Sequence, residues 1–459
     1  MQDLFPSILE SFWTALDGTA SGLESIDVTG AGGLPSTFAV TDLACAAVAA
    51  AAAGVRELLY AHTGSRPRIE VNRKLTSLWF ELSIRPCGWA LPPPGDPMTG
   101  DYPTRDGWIR LHANAPRHRV AAERVLGCHG DKESVSRAVA GWLKGELESA
   151  IVAGGGCAAE MRSSSEWLEH PQGRAVMSEP LLHISSTADS TGRILEHRLS
   201  QRPLAGIRVL DLTRVLAGPV ATRFLAGYGA DVLRIDPWDW EEPGVAPEVT
   251  LGKRCARMDL KSGSDRALFE SLVRKADVLV HGYRPGALAA LGFDDQARRR
   301  IAPGLIDVSL NAYGWSGPWT DRRGFDSLVQ MSAGIADAGM AWRSANRPIP
   351  LPVQALDHST GYLMAAAAVR GLAQRQLTGC GYQARVSLAR TAKALLDQGP
   401  YDRYACIDPE HEEDVDPTIE QTTWGPARRL RPPVSIAGTP LHWSLPATAL
   451  GTAAARWAE

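Results

Sequence analysis

Short apolar segments alternate with helical segments through the second half of the chain. Apolar runs at 207–211, 231–236, 277–281 and 305–310 are bounded by turn residues and separated by stretches with helical spacing. Repeated β-α-β units of this kind predict a parallel sheet with right-handed crossover connections. The pattern therefore predicts an α/β fold with a Rossmann-like sheet domain over 204–397.

The first half of the chain has longer helical stretches and only short strands. Residues 42–62 follow a continuous apolar helix pattern, which Thr63-Gly64 ends, and 106–111 indicate a turn that leads into a strand. These features predict a smaller α+β domain beside the parallel sheet. The predicted division of the chain is a first module at 1–183, a linker at 184–203, the sheet module at 204–397 and an irregular tail at 398–459.

An internal repeat links the two halves. Its members are an aspartate, an apolar helix, a Thr-Gly stop and a valine in a strand. They are Asp42, Thr63-Gly64 and Val71 in the first copy, and Asp357, Thr378-Gly379 and Val386 in the second, each offset by 315 residues. Helix, stop and strand are common local features, so coincidence is one interpretation. The other is that the joint between two modules is present twice.

The composition is that of an ordinary globular protein. The chain has 459 residues, 44% hydrophobic and 22% charged, so two or three structural units are expected. The net charge of −3 gives no general attraction to nucleic acid or to an anionic membrane. The longest apolar run, 43–55, is too short to cross a bilayer as a helix. The residues after Met1 lack the basic segment of a typical signal peptide.

The seven cysteines are scattered along the chain, and no two of them form a C-x-x-C pair. Their odd number and wide spacing predict reduced thiols and argue against a disulfide framework or a zinc site. We therefore expect a cytoplasmic protein without a metal and without nucleic-acid or membrane partners.

Asp357 is the main candidate for chemistry, because it stands where a loop enters an apolar helix. A carboxylate at a helix start beside a ligand site can act as a nucleophile or a base, whereas an N-cap is the ordinary role of an aspartate there. Upstream, the turn 211–219 leads from the first strand of the sheet into a helix, whose free N–H groups would favour a phosphate. The glycine fingerprint of NAD sites is absent from this turn. Asp42, in the other copy of the repeat, is expected to be a cap.

A set of motifs between 205 and 396 together resembles the family III CoA-transferases, the group of formyl-CoA and carnitine-CoA transferases. In chain order these motifs are Ala205-Gly206-Ile207-Arg208-Val209-Leu210-Asp211-Leu212-Thr213, Ala217-Gly218-Pro219, Gly229-Ala230-Asp231-Val232, Lys253-Arg254, Met258-Asp259-Leu260-Lys261, Ala276-Asp277-Val278-Leu279-Val280, Pro285-Gly286-Ala287-Leu288, Leu291-Gly292-Phe293, Gly317-Pro318, Gly324-Phe325-Asp326 and Asp357. The first half resembles the second half of those transferases, at 102–109 and at 142–172, so the modules stand in permuted order.

The resemblance implies a function and a set of site residues. In that family the aspartate matching Asp357, ionised at neutral pH, attacks an acyl-CoA thioester, and CoA passes to a carboxylic acid through aspartyl anhydride and aspartyl-CoA thioester intermediates. The chain would thus be a CoA-transferase of the EC 2.8.3 type in acyl-CoA metabolism, with coenzyme A as its substrate and an interlocked homodimer as its assembly. By matching position, the CoA contacts would be Leu216, Ala217, Met258, Asp259, Leu260, Lys261, Gly282, Tyr283, Arg284, Arg323, Gly324, Phe325 and Asp326. Of these, Tyr283 would stack on adenine, and Lys261, Arg284 or Arg323 would meet phosphate.

The chain also departs from the family pattern. The positions concerned are Leu216, Pro237, Gly282 and Ala290, where those transferases often carry glutamine, arginine, asparagine and arginine. Such changes would weaken or rearrange the contacts with CoA.

Two alternatives remain open. One is a 2-methylacyl-CoA racemase; related racemases pair the aspartate with a histidine at the position of Phe325, and that histidine is missing here. The other is a non-catalytic CoA-binding or partner protein. His112 and His118, near the strand at 106–111, are expected to be structural or surface groups.

Overall fold

The structure is a computed structural model that describes residues 3–93, 95–128, 130–187, 201–401 and 405–458. The helices are α1 Phe5–Ala15, α2 Val40–Thr63, α3 Arg73–Trp79, α4 Pro116–Leu126, α5 Lys132–Val139, α6 Lys144–Ala153, α7 Ser164–Glu169, α8 Pro171–Ser178, α9 Ala217–Gly227, α10 Ala246–Val249, α11 Gly263–Lys275, α12 Asp295–Ile301, α13 Asp326–Ser332, α14 Ile335–Trp342, α15 Ala355–Thr378 and α16 Leu388–Leu396. The strands are β1 Ile26–Thr29, β2 Ile69–Asn72, β3 Ile84–Pro86, β4 Gly100–Pro103, β5 Trp108–Leu111, β6 Ala158–Glu160, β7 His183–Ser186, β8 Arg208–Leu212, β9 Asp231–Asp236, β10 Lys253–Arg257, β11 Val278–His281, β12 Ile306–Asn311, β13 Tyr382–Ser387, β14 Glu420–Thr422, β15 Gly425–Arg429 and β16 Val434–Ile436.

The largest sheet has seven strands in the order β10-β9-β8-β11-β12-β13-β7. Six of them are parallel, and β7 pairs antiparallel with β13 at the edge. Their residues are almost all buried, as expected for parallel strands that helices cover on both faces. The α/β expectation is confirmed. The chain winds outward from β8 in both directions, so the crevice beyond the carboxyl ends of β8 and β11 is the place where such sheets bind ligands.

The edge strand β7 occupies the start of the predicted linker at 184–203. Its residues are ordered by pairing with β13, from Tyr382 opposite Ser186 to Arg385 opposite His183. The rest of that predicted linker falls largely on 188–200, which lies outside the described residues. The linker prediction is therefore wrong for its first residues, since they belong to the sheet, and the module boundaries remain predictions.

The tail predicted to be irregular contains three short strands. β14 and β15 form a hairpin, and β15 pairs with β3 from the first half of the chain. β16 pairs with β2, also from the first half. The correction has a physical reason: a strand is stabilised by its hydrogen-bonded neighbour, and these neighbours lie more than three hundred residues earlier in the sequence.

The internal repeat is visible as two equivalent sheets and two equivalent helices. β1 and β2 are parallel and β16 joins β2 antiparallel, just as β12 and β13 are parallel and β7 joins β13 antiparallel. The helices that precede β2 and β13, α2 and α15, each have 24 residues and end at a glycine with positive φ, Gly64 or Gly379. A further pair of sheets, β4-β5-β6 and β14-β15-β3, each combine a hairpin with a third strand. The structure thus favours the interpretation that one module joint is present twice.

The two repeated helices pack against each other at the centre of the main core. Gly54 of α2 faces α15, where an added Cβ would lie 3.4 Å from the carbonyl oxygen of Ala366. By length and composition alone α2 could cross a membrane, yet 94% of its most apolar stretch is buried inside the protein. Packing against α1 and α15 therefore accounts for its apolar composition.

Candidate functional site

A cavity of about 280 Å³ opens beyond the carboxyl ends of β8, β11 and β12. Its walls come from the loops that follow these strands, from the segment before α13 and from the start of α15. Arg117 and His118, at the start of α4, complete it from the first half of the chain. The cavity therefore combines the parallel sheet with a segment from the first half of the chain.

Close contact between α15 and α9 brings Asp357 into this cavity. Gly361 lies one turn after Asp357, and a Cβ at that position would stand 2.3 Å from the carbonyl oxygen of Ala217. Only glycine permits this approach. As a result the Asp357 carboxyl lies near the N-terminal turn of α9, where Leu216, Ala217 and Gly218 line the cavity and unpaired backbone N–H groups favour negative charge.

Asp357 is not the N-cap of its helix. The N-cap of α15 is Gln354, and the backbone N–H of Asp357 donates instead to Asp326 Oδ2 at 2.9 Å. Asp326, the first residue of α13, is held in turn by the Gln330 amide, which donates to its Oδ1. Gln330 Oε1 accepts from the N–H of Leu351. Asp326 therefore fixes the entry of the chain into α15.

The two carboxyl groups share a buried environment. Burial raises the pKa of Asp326 to about 6, against the effect of its hydrogen bonds from the backbone of residue 357 and from Gln330. Burial, and then the charge of Asp326, raises the pKa of Asp357 well above its ordinary value. Two like charges this close cannot both ionise easily. These surroundings favour the protonated form of Asp357 and so act against the expectation that Asp357 is ionised at neutral pH.

Asp42, the equivalent aspartate of the first copy, has a different surrounding. It is fully buried, and Arg73 approaches its Oδ1 to 2.6 Å. The N-cap of α2 is Ala39, so the prediction that Asp42 is a cap is wrong. The repeat offset of 315 places Leu388 where Arg73 stands, and Leu388 lines the Asp357 cavity. An arginine thus neutralises one aspartate, whereas a leucine leaves the other without a cation.

The structure brings most of the predicted CoA contacts together. Those that line the cavity with Asp357 are Leu216, Ala217, Gly282, Tyr283, Arg284, Arg323, Gly324 and Phe325. Met258 and Leu260 are instead buried in the core cluster against which Tyr283 packs, and Asp259 and Lys261 are exposed beside them. Asp326 lies behind the cavity and supports Asp357. Whether each of these residues contacts CoA remains a prediction.

Three arginines at the cavity face one another. Arg323 belongs to the segment before α13, Arg284 follows β11, and Arg117 comes from α4. Burial, and then the charges of Arg284 and Arg117, lower the pKa of Arg323. No carboxylate among the described residues forms an ion pair with any of the three. Guanidinium groups gathered in this way favour an anionic ligand such as a phosphate.

Sequence reasoning missed Arg117 and two other arginines of the cavity. Arg214 lies over the rings of Trp240 and Tyr283, at 4.7 and 5.5 Å from their centres. Arg322 forms an ion pair with Glu148 at 2.8 Å and so ties the loop before α13 to the first half. The sequence signal for Arg214 was its place in the first β-α turn. Arg117 and Glu148 gave no signal, because only the tertiary fold brings them here.

Val215 has a strained backbone at the edge of the cavity. Its φ is 66°, in the left-handed region that β-branched residues strongly avoid. The backbone N–H of Val215 donates to Glu242 Oε2 at 2.9 Å, and Glu242 forms a buried ion pair with Arg234. Such strain is retained where the surroundings dictate the backbone, and it lies within the turn 211–219 that the sequence predicted as a ligand site.

His112 and His118 both contact Phe325. The rings of His112 and Phe325 stack with their centres 3.7 Å apart, and His118 lies edge-on at 6.0 Å. Burial, followed by the charge of Arg110, lowers the pKa of His112 to about 3. Burial, followed by the charge of Arg117, lowers the pKa of His118 to about 4. Both rings are therefore neutral at physiological pH, and His118 lines the cavity. Within the described part of the chain no three His, Cys, Asp or Glu side chains are grouped to hold a metal ion.

Comparison with known proteins finds similar sequences for much of the chain. Residues 204–427 match the model of CoA-transferase family III. An acyl-CoA transferase of Gibberella moniliformis is 29% identical over 326 residues, which cover 65% of this chain and 56% of that protein. The succinyl-CoA:glutarate CoA-transferase of Mus musculus is 32% identical over 221 residues, 45% of this chain and 50% of that protein. A crystal structure from Mycobacterium tuberculosis is 30% identical, with a TM-score of 0.40 over 43% of this chain and 58% of that chain. The chain spans about half the length of the curated relatives it matches.

Proposed function

We propose that this chain, whose residues 204–427 match the model of CoA-transferase family III, transfers CoA from an acyl-CoA thioester to a carboxylic acid, with Asp357 as the nucleophile. The observation that carries the proposal is the buried Asp357 carboxyl, which lines an open cavity beside the N-terminus of α9 and has no cationic partner among the described residues. A carboxylate in such a position is available for covalent chemistry.

The proposed reaction has two matched halves. Asp357 attacks the thioester carbonyl, the C–S bond breaks, and CoA leaves as a thiolate while an acyl-aspartyl anhydride forms. The thiolate then attacks the aspartyl carbonyl, which releases the donor acid and leaves an aspartyl-CoA thioester. The acceptor carboxylate repeats these steps in reverse order and departs as its own CoA thioester. Covalent exchange of this kind divides one difficult transfer into easier steps.

The Asp357–Asp326 pair controls the first step. Asp357 must lose its proton to attack, and burial opposes that loss. The N-terminal dipoles of α9 and α15 favour the anion, and so does protonation of Asp326 in its place. A carboxylate that is ionised in a poorly solvated cavity is a stronger nucleophile than one in water, because fewer hydrogen bonds must be broken when it attacks.

The arginine group gives the proposed CoA site its charge. Arg284 and Arg323 stand at the rim of the cavity with Arg117, and the phosphates of CoA supply the anions that three mutually repelling guanidinium groups lack. Tyr283, between this group and the core, offers a ring face to adenine.

Trapping of the covalent intermediate tests the proposal. The purified chain is incubated briefly with a panel of acyl-CoA thioesters, quenched with hydroxylamine and mapped by mass spectrometry. The expected result is a hydroxamate at Asp357, which Asp357→Asn abolishes. The matched control Asp42→Asn, measured at a temperature at which that variant is folded, leaves the hydroxamate unchanged. CoA binding without an adduct from any thioester would contradict the transferase mechanism and favour a non-catalytic role.

Racemisation of a 2-methylacyl-CoA receives less support. It requires two opposed bases that accept a proton from carbon. The histidines nearest the required position, His112 and His118, have pKa values lowered to about 3 and 4, so both are weak proton acceptors. Exchange of the α-proton in deuterated water, catalysed by the chain in the absence of an acceptor acid, would instead favour the racemase.

A further inference from the structure

A second cavity, of about 250 Å³, adjoins the cavity that contains Asp357. The two share Val215, Trp240 and Phe325 as lining residues, so a molecule held at Asp357 can extend from one into the other. We infer that this second cavity, here called the acyl chamber, holds the acyl chain of the donor and the body of the acceptor, and that it selects monocarboxylic over dicarboxylic acids. The inference rests on the proposed function and names its substrate class.

The walls of the acyl chamber suit an uncharged chain. Pro93, Pro243 and Val245 line it together with the shared Trp240 and Phe325. The Phe325 ring is fixed by its stack with His112, and the His112 ring stays neutral. Apolar and aromatic walls of this kind bind hydrocarbon by removing it from water.

The charges of the acyl chamber oppose a second carboxylate. Its ionisable acids are Asp96, Glu241 and Glu242. Asp96 pairs with Arg119 at 2.9 Å, Glu241 with Arg257 and Glu242 with Arg234. Each of the three carboxylates is thus engaged, and no lysine or arginine is among the described residues that line the chamber. A distal carboxylate would therefore lie near three acidic side chains, and no lysine or arginine that lines the chamber would pair with it.

The nearest alternatives for such a carboxylate are already committed. Arg214, beside Trp240, lies between the rings of Trp240 and Tyr283 and faces Asp236 at 3.8 Å. Arg117 lines the first cavity together with Arg284 and Arg323, and there the proposed CoA phosphates would bind it. The separation of cations in one cavity from apolar walls in the other is the basis of the inferred selectivity.

Acids of equal length but different charge test the inference. Pentanoate and glutarate both have five carbons, and butyryl-CoA serves as a common donor. Product thioesters are separated and quantified by chromatography at equal acid concentrations. We expect pentanoyl-CoA to form at least about tenfold faster than glutaryl-CoA, because the second carboxylate of glutarate finds no cation in the chamber.

A variant that adds a cation provides the second half of the test. Pro243 lines the chamber and is exposed, so Pro243→Arg is expected to fold and to reduce the preference for pentanoate. Leu377→Arg, at an exposed position near the far end of α15, is the matched control and should leave the preference unchanged. The inference would be overturned if the unaltered chain converted glutarate as fast as pentanoate. It would also be overturned if Pro243→Arg and Leu377→Arg showed the same preference for pentanoate over glutarate. An absence of any product or adduct would overturn the proposed function itself, so the two failures are distinguishable.

Discussion

At the scale of single residues, the two equivalent aspartates differ in one neighbouring side chain. Arg73 neutralises Asp42, and the equivalent Leu388 faces the Asp357 cavity without a charge. A carboxylate in a tight ion pair is both less exposed to a substrate and less reactive. The difference between Arg73 and Leu388 therefore accounts for one available and one unavailable carboxyl group.

The first prediction concerns a variant that gives Asp357 an arginine neighbour like the one beside Asp42. Leu388→Arg places a guanidinium next to Asp357, and we expect the rate of adduct formation to fall at least about tenfold because the new pair withdraws the nucleophile. The check is single-turnover trapping with hydroxylamine. Leu388→Met, which conserves volume, is the control and should retain most of the rate. An undiminished rate in Leu388→Arg would show that the neighbour does not decide reactivity.

The second prediction concerns stability and its dependence on pH. The folded chain raises the pKa of Asp357, so the folded state binds its proton more tightly than the unfolded chain does. The resulting stabilisation of the folded state is fully present below about 3.9, the pKa of an aspartate in the unfolded chain. It is lost as the pH rises through the pKa of Asp357 in the folded chain. Asp357→Asn should therefore melt higher than the unaltered chain at pH 8, by roughly 2 °C or more for about 1 kcal/mol, with the difference vanishing near pH 4.

The control for this prediction is the opposite behaviour of Asp42→Asn. Removal of one partner from the buried Arg73–Asp42 pair leaves the guanidinium uncompensated, at a cost of about 3–5 kcal/mol. Melting curves recorded from pH 4 to pH 9 compare both variants with the unaltered chain. A destabilised Asp357→Asn at pH 8 would mean that Asp357 is held as a favourable anion and that the sign of its effect is wrong.

At the scale of elements, the approach of α15 to α9 positions the site, and one glycine permits it. The third prediction is that Gly361→Ala pushes these helices apart, because its Cβ would lie 2.3 Å from the Ala217 carbonyl oxygen. Overpacking of this kind costs about 1–3 kcal/mol. We expect a lower Tm and a loss of adduct formation larger than the loss of CoA binding.

Gly54 on α2 is the matched control for this variant. An alanine Cβ there would be 3.4 Å from the nearest atom, an ordinary contact, and alanine is the better helix former by about 1 kcal/mol. Gly54→Ala should thus be neutral or stabilising. Equal effects of the two substitutions would indicate that helix propensity, and not the contact with α9, governs Gly361.

Local patterns predicted the elements whose stability is local. The helices α2 and α15 with their Thr-Gly ends, the parallel strands β8, β9, β11 and β12, and the place of Asp357 at the start of a helix could all be inferred from the sequence. The strands β15 and β16 could not, since each pairs with a strand from the first half of the chain, and β14 is held only by its hairpin with β15. For the same reason the sequence did not predict that Arg117 lines the cavity. The pairing of Asp42 with Arg73 was not predicted either, because it depends on the way α3 follows β2.

At the scale of the whole molecule, each half completes a sheet of the other. β7 from the first half extends the sheet at β13, and β16 from the second half extends the sheet at β2. The cavity of Asp357 likewise takes Arg117 and His118 from the first half. Each half of the chain therefore needs the other to complete a sheet and to close the cavity.

The last prediction is that one chain is the active unit and carries one reactive aspartate. The family resemblance implies a homodimer, whereas the repeat already supplies both sides of the Asp357 cavity within a single chain. Mass photometry and specific activity, measured across the same dilution series, compare the two arrangements. We expect activity per chain to stay constant down to concentrations at which only monomers are present, with one hydroxamate per chain and none at Asp42. Activity that declines together with a dimer population would require a second chain at the site, and two hydroxamates per chain would mean that Arg73 leaves Asp42 reactive after all.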